Sequence, residues 1–240
     1  HAMCTIATGG FSTHQASLAW FGSATIEYVS VFYMLLAGVN FSLFYYASIG
    51  RWDVLRRNEE LRWYVGVVTT FMLLSFVLFY VLSAGADSPG TVLTAIPDGL
   101  EPRIRSALFH VSTVITSTGF QSEFCDYVAW GPMFWMPTML LMVVGACAGS
   151  TGGGIKMIRI SVVVKDVLNE FRLQIHPRAV IPVRLNGNVL EEQKVTRALA
   201  FVIIYVFIMC IGVILFTLLG MDLSTALGSS VSMLSNTGPG

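Results

Sequence analysis

Charge is what this 240-residue chain has least of: Asp, Glu, Lys and Arg make up 12% of it, while hydrophobic residues make up 55%. So apolar a chain does not stay solvated as a disordered segment, and it offers no basic surface for nucleic acid. Net charge is lacking too, because 14 basic residues balance 14 acidic ones. Any electrostatic signal must therefore lie in where the charges stand. Cysteine is sparse: Cys4, Cys125, Cys147 and Cys210 form no CxxC pair and have no histidine at ligand spacing, which argues against a disulfide scaffold or a zinc site. No nucleophile stands with a base in a recognisable motif, so covalent catalysis has no candidate and the chain is not expected to be an enzyme. A secretory leader is missing as well, since His1-Ala2-Met3 carries no basic n-region and the beginning reads as cut rather than processed.

Long apolar runs, in contrast, are plentiful. Residues 25–46, 63–82, 128–148 and 198–219 each reach the roughly 20 residues that a helix needs to cross a bilayer. The first contains one acid, Glu27, and the other three contain no charge. A helix of a soluble domain would keep a polar face over such a length. The expected fold is all-α: a polytopic membrane protein. Twelve of the basic residues fall between the first and second runs (Arg51 to Arg62) or between the third and fourth (Lys156 to Arg197), which places those segments in the cytoplasm. The neutral sum then divides into an acidic excess of five outside and a basic excess of five inside. The outer acids would concentrate cations at a pore mouth.

An internal repeat lies on the outer side. His1 to Gly10 aligns without gaps with His110 to Gly119, and Ser229 to Gly238 follows with the same offset from its first residue to its glycine. Each copy is too short to span and is rich in Ser and Thr. A helix that enters the membrane partway and returns as an extended strand fits that composition, and non-helical backbone at such depth must line a cavity or be buried in protein. The unit is span, re-entrant loop, span, repeated in parallel about an axis along the membrane normal rather than inverted. It divides the chain into 1–62 (the end of a second unit), 63–197 (a whole third unit) and 198–240 (the start of a fourth).

Each short helix points the negative end of its dipole at the glycine, and the carbonyls that follow it are free to replace the water shell of a cation. Candidate ligands are the backbone oxygens of Ile6, Ala7, Thr8, Gly9 and Gly10, of Ile115, Thr116, Ser117, Thr118 and Gly119, and of Leu234, Ser235, Asn236, Thr237 and Gly238. The hydroxyls of Thr8, Thr118 and Thr237 are candidates to assist. Neutral oxygens suit a weakly hydrated monovalent ion better than a divalent one, so K+ is the expected cargo and no organic cofactor is expected. Any single Thr-Gly could be an ordinary turn; three in register on one face point to a filter.

After the third run, residues 145–154 hold five glycines in ten, too many for a helix when each costs about 1 kcal/mol against alanine. The span should open there into a loop lacking side-chain bulk, able to lie across an ion path or to serve as a hinge. Gly149 and Gly154 have P-loop spacing, but Ile155 separates glycine from Lys156 and Met157 stands where the Mg²⁺-binding hydroxyl is required, so a nucleotide site is not expected. Glu27 either draws cations or reaches to the interface. His1 and His110 should hydrogen-bond within the loop scaffold, and His14 and His176 should be solvated.

Ile6-Ala-Thr-Gly-Gly-Phe-Ser12, Ile115-Thr-Ser-Thr-Gly-Phe120 and Ser235-Asn-Thr-Gly238 resemble filter loops of the Trk/Ktr/HKT superfamily. Gly149-Ser-Thr-Gly-Gly-Gly-Ile-Lys156 with His176-Pro-Arg-Ala-Val-Ile-Pro182 resembles its TrkH branch. The resemblance implies four span-loop-span units around one pore, in a multi-pass potassium-uptake subunit of the bacterial inner membrane. It also implies homodimers and a cytosolic nucleotide-binding partner, TrkA. A glycine in each filter strand goes with potassium permeation in that family and falls here on Gly10, Gly119 and Gly238, whereas a serine in one loop goes with sodium. A loop at Gly149, Ser150, Thr151, Gly152, Gly153, Gly154 and Lys156 is implied to be an intramembrane gate. Against that family the chain begins inside the second loop and stops at the fourth, so it reads as a fragment. A sodium-permeable or ion-coupled symporter, and a non-conducting structural pore subunit, stay open beside potassium uptake.

Overall fold

Apolar runs without charge become helices because hydrocarbon offers backbone N–H and C=O groups no partner outside their own segment. The computed structural model describes residues 1–84, 99–122, 132–176, 178–179 and 181–238. Along it lie α1 (Ala2–Ile6), α2 (Ala24–Ala37), α3 (Phe41–Ser48), α4 (Trp52–Arg57), α5 (Glu59–Ala84), α6 (Leu100–Ile115), α7 (Pro132–Val144), α8 (Met157–Ile175), α9 (Glu192–Leu218) and α10 (Leu223–Ser235). A 3₁₀ turn, Ser17–Phe21, and a hairpin, β1 (Arg184–Leu185) with β2 (Asn188–Val189), complete the described elements.

Among the described residues two helices, α5 and α9, are long and apolar enough to cross a bilayer. Many of their large apolar side chains, among them Leu73, Tyr80, Ile203 and Phe207, are exposed, as lipid-facing residues of a polytopic all-α membrane protein are. Both start before the unit boundaries drawn at 62/63 and 197/198, which fall inside them. The third run appears as α7, with residues 128–131 outside the described part. The first run does not form one span: α2 and α3 meet at a bend of 94°. Gly38 ends α2, and Asn40 caps α3 by accepting the Ser42 N–H at 2.9 Å. The groups freed by this break are satisfied across the molecule. The Gly38 carbonyl accepts the Cys147 N–H at 3.0 Å, and the Phe41 N–H donates to the Gly149 carbonyl at 3.1 Å. Two interrupted helices thus supply each other's missing bonds, which makes the bend a tertiary property.

The core is built around α6, which packs on α2, α5 and α7. Phe109, Val111, Val114 and Ile115 are fully buried, joined by Met34, Phe79 and Phe134 from its neighbours. Helix α10 lies against α9 and α7. Its N-cap, Asp222, accepts the Thr225 N–H at 3.2 Å and the Thr225 hydroxyl at 2.7 Å. These bonds, with one from Ser224, hold its carboxyl down at about 2, so the cap keeps full strength at neutral pH and weakens only as pH falls through that low range. The hairpin turns on Asn186-Gly187, both at positive φ (52° and 81°), the pair that a two-residue turn of this kind favours. The sequence reading passed over that signal.

Candidate functional site

Helices α1, α6 and α10 terminate in one shared way. The N–H groups of Gly9, Thr118 and Thr237 donate to the carbonyls of Cys4, Thr113 and Ser232 at 2.8, 2.9 and 2.9 Å. One residue earlier, those of Thr8, Ser117 and Asn236 donate to Thr5, Val114 and Met233 at 3.4, 3.0 and 3.2 Å. This bond pair is a Schellman motif, repeated at matching positions of the three sequence copies. Thr8, Ser117 and Asn236 occupy its left-handed position at φ 48°, 57° and 56°, near the left-handed well open to L-residues. Glycine is kept for the second left-handed residue of each copy: Gly10 at 64°, Gly119 at 75° and Gly238 at 101°. The last two lie beyond that well, where a Cβ is strained.

Of the residues named as filter ligands, Ile6, Ile115, Leu234 and Ser235 sit in the last turns of their helices rather than in the strands that follow. The extended part is therefore shorter than the sequence reading expects. The hydroxyls also differ from expectation. Thr8 Oγ1 donates to the Ala7 carbonyl at 2.8 Å, Thr118 Oγ1 meets Thr116 Oγ1 at 2.7 Å and Thr237 Oγ1 meets Ser235 Oγ at 3.3 Å. They brace their own loops, and in register Thr118 and Thr237 match Gly9, not Thr8. The first two loops touch: a Cβ on Gly10 would collide with the Thr118 carbonyl oxygen.

The glycine-rich segment lies against all three helix ends. Helix α7 stops at Val144 and α8 starts at Met157. A neck joins them, with the Ile155 N–H on the Val143 carbonyl and the Met157 N–H on the Ala146 carbonyl, both at 2.9 Å. From this neck the loop reaches the first copy through Thr151 Oγ1 on the Ile6 carbonyl (3.1 Å) and the second through the Gly153 N–H on Ser117 Oγ (3.0 Å). It meets the third where Gly153 abuts the Ser235 carbonyl, while a Cβ on Gly152 would lie 2.7 Å from the Thr116 carbonyl oxygen. Glycine is what allows backbone to lie on backbone at this depth. Lys156, itself at φ 79°, folds its ammonium back onto the loop. It donates to the Ser150 carbonyl at 3.2 Å, to Ser150 Oγ at 3.4 Å and to the Gly152 carbonyl.

Charges around the site differ from expectation. Glu27 is neither a lure for cations nor an interfacial acid: it is buried, and Arg105 Nη1 donates to its Oε2 at 2.6 Å, tying α2 to α6. Arg105 also meets Glu101 at 3.1 Å. Nothing in the sequence links two residues so far apart. Because Glu27→Gln leaves the buried Arg105 with only the more exposed Glu101 to balance it, it should destabilise the fold by roughly 2 kcal/mol, less than the loss of a sole partner costs, seen as a lower thermal midpoint of the detergent-solubilised protein. His110 Nε2 bonds Thr138 Oγ1 on α7 at 2.8 Å, outside its own loop. His1 bonds Ser12 at 2.8 Å, and His14, expected to be solvated, stacks on Trp20 at 3.8 Å. The outer acids Asp87, Asp98, Glu123 and Asp126 lie outside the described residues. Among the described residues no cluster of His, Cys, Asp or Glu is placed to hold a metal ion.

Comparison with known proteins gives one consistent result. Residues 1–240 match the TrkH family model, described as a cation transport protein. The Trk system potassium uptake protein TrkH of Escherichia coli K12 is 32% identical over 243 residues, covering all of this chain and 47% of its own length. TrkG of the same strain is 26% identical over 248 residues, again covering all of this chain and 47% of its own. The crystal structure of the potassium transporter TrkH from Vibrio parahaemolyticus superposes with a TM-score of 0.87 at 29% identity, over 100% of this chain and 49% of that one. The chain spans about half the length of the relatives it matches.

Proposed function

Since this chain belongs to the TrkH family of cation transport proteins, we propose that it forms part of a potassium-uptake path through the bacterial inner membrane. In this reading the loops after α1, α6 and α10 hold the ion, and the glycine-rich loop gates it. The observation that carries it is the threefold recurrence of one helix ending, with glycine at the second left-handed position each time, against a single glycine-rich loop. Helix C-termini turned toward the loops favour a cation, and loop carbonyls are suited to replace its water. Glycine at Gly10, Gly119 and Gly238 supports potassium over the sodium-permeable alternative. A homodimer and a TrkA-like nucleotide-binding partner on the cytoplasmic side belong to the same proposal, as do the three units 1–62, 63–197 and 198–240.

The loop is a stopper by position and a gate by composition. Ser150, Thr151 and Gly152 to Gly154 present little bulk, so a small shift clears the path. Lys156 keeps the loop folded with a cation of its own, its ammonium on carbonyls that would otherwise face an ion. The test is the full-length protein in bacteria lacking potassium uptake: it should restore growth at low potassium and take up rubidium in preference to sodium. No restoration with normal membrane abundance would defeat the proposal. In the same assay Lys156→Met should raise resting rubidium uptake about fivefold, as loss of roughly 1 kcal/mol of charge-assisted bonding predicts; unchanged uptake would remove Lys156 from the gate.

A further inference from the structure

The start of α5 holds a carboxylate that the filter and the loop do not account for. Glu60 is 3% exposed. Its Oε1 accepts the Ala148 N–H at 2.5 Å. Ala148 is where the glycine-rich loop leaves the neck. One side chain from a different helix therefore holds the point from which the loop departs. A carboxylate is suited to this, having two acceptor oxygens and no donor, and bonds to an ionised acceptor are stronger than neutral ones.

The position of Glu60 is itself fixed. Asn58 caps α5 by accepting the Leu61 N–H at 2.8 Å. Next door, Glu59 donates its N–H to Asn186 Oδ1 at 2.7 Å and pairs through its carboxylate with Lys165. Consecutive residues of one turn thus face opposite ways, Glu59 to the hairpin and α8, Glu60 to the loop. Burying a carboxylate is costly unless its oxygens are satisfied, and here the N–H that bonds it belongs to the start of the loop.

We propose that Glu60 is the positioning residue that sets the resting conformation of the glycine-rich loop, by holding the Ala148 N–H where the loop leaves the neck. This rests on the gating role proposed above. When Glu60 lets go, Ala148 is released and the loop leaves the helix ends. The filter loops are untouched, so the resting flux changes and the ion preference does not.

The experiment measures rubidium uptake and the rubidium-to-sodium ratio for the full-length protein in a potassium-uptake-deficient host. The variants are Glu60→Gln, Glu60→Asp, deletion of residues 152–154, and Glu60→Gln combined with that deletion. Glu60→Gln should raise resting uptake about tenfold with the ratio unchanged. Glu60→Asp, which keeps the charge but withdraws it by one methylene, should raise it less. Glu60→Gln should add nothing on top of the deletion. If the deletion raises uptake but both Glu60 variants, at normal membrane abundance, leave it at the unmutated level, Glu60 does not position the gate. A changed ion ratio in either variant would also overturn the assignment, since a generally loosened fold would disturb the filter. If the deletion itself changes nothing, the gate fails and the role of Glu60 fails with it. Should Glu60→Gln not reach the membrane, Glu60→Asp decides alone.

Discussion

In the full-length protein, Gly10→Ala is expected to lower the preference for rubidium over sodium by about tenfold or more, while Gly9→Ala leaves it near the unmutated value. The two glycines are neighbours, but their surroundings differ. Gly10 sits at φ 64°, and a Cβ there would run into the Thr118 carbonyl oxygen of the adjacent loop. That oxygen is among the proposed ligands, and it cannot move away as a flexible side chain would. Displacing it costs on the order of 1–3 kcal/mol, and each 1.4 kcal/mol corresponds to about a factor of ten in relative binding. A Cβ on Gly9 would meet only the Phe11 ring, at 3.5 Å, and the matching places in the other copies already carry Thr118 and Thr237. Gly119→Ser should act in the same direction through its φ of 75°. The check is competitive uptake of rubidium and sodium. Equal ratios for Gly9→Ala and Gly10→Ala would mean that the two loops do not meet at a selective point.

Deleting residues 152–154 is expected to raise resting uptake at least tenfold, the change produced by about 1.4 kcal/mol in a barrier. This removes Gly152 from beside the Thr116 carbonyl and Gly153 from its bond to Ser117 Oγ and its contact with Ser235. The neck bonds from Ile155 to Val143 and from Met157 to Ala146 involve none of the deleted residues, so α7 and α8 should keep their junction. Uptake at the unmutated level, with normal abundance in the membrane, would leave the segment a hinge. Read with the first experiment, the two results separate selection from gating, since Gly10 should change the ratio and the deletion the rate.

The features legible in the sequence are those written in contiguous residues. Helices α5 and α9 follow from long uncharged runs, the opening between α7 and α8 from five closely spaced glycines, and the three matched helix endings from the alignment of His1, His110 and Ser229. What stayed hidden depends on partners distant in the chain. Gly38 and Asn40 do carry a stop and a cap signal, yet apolar neighbours on both sides let a single span be drawn straight through them. The bend forms because Cys147 and Gly149 complete it. Glu27 looked like an interfacial acid because Arg105 lies 78 residues away. Nothing in Arg56-Arg57-Asn58-Glu59-Glu60 tells one acid from the other, and only packing sends Glu59 outward and Glu60 inward. The filter strands were overestimated because helix propensity does not say where the last carbonyl is still helical.

The mutual completion of the two helix breaks also has an order in time. The partners of Gly38 and Phe41 lie about a hundred residues further along the chain. At ~5–20 residues per second they leave the ribosome roughly 5 to 20 s after the first break has been made. Until then a bent backbone in hydrocarbon would hold unsatisfied groups costing several kcal/mol each. A continuous helix over residues 25–46 would satisfy those groups in the interim. The bend is thus a conformation that the first half of the chain can hold only in the company of Cys147 and Gly149.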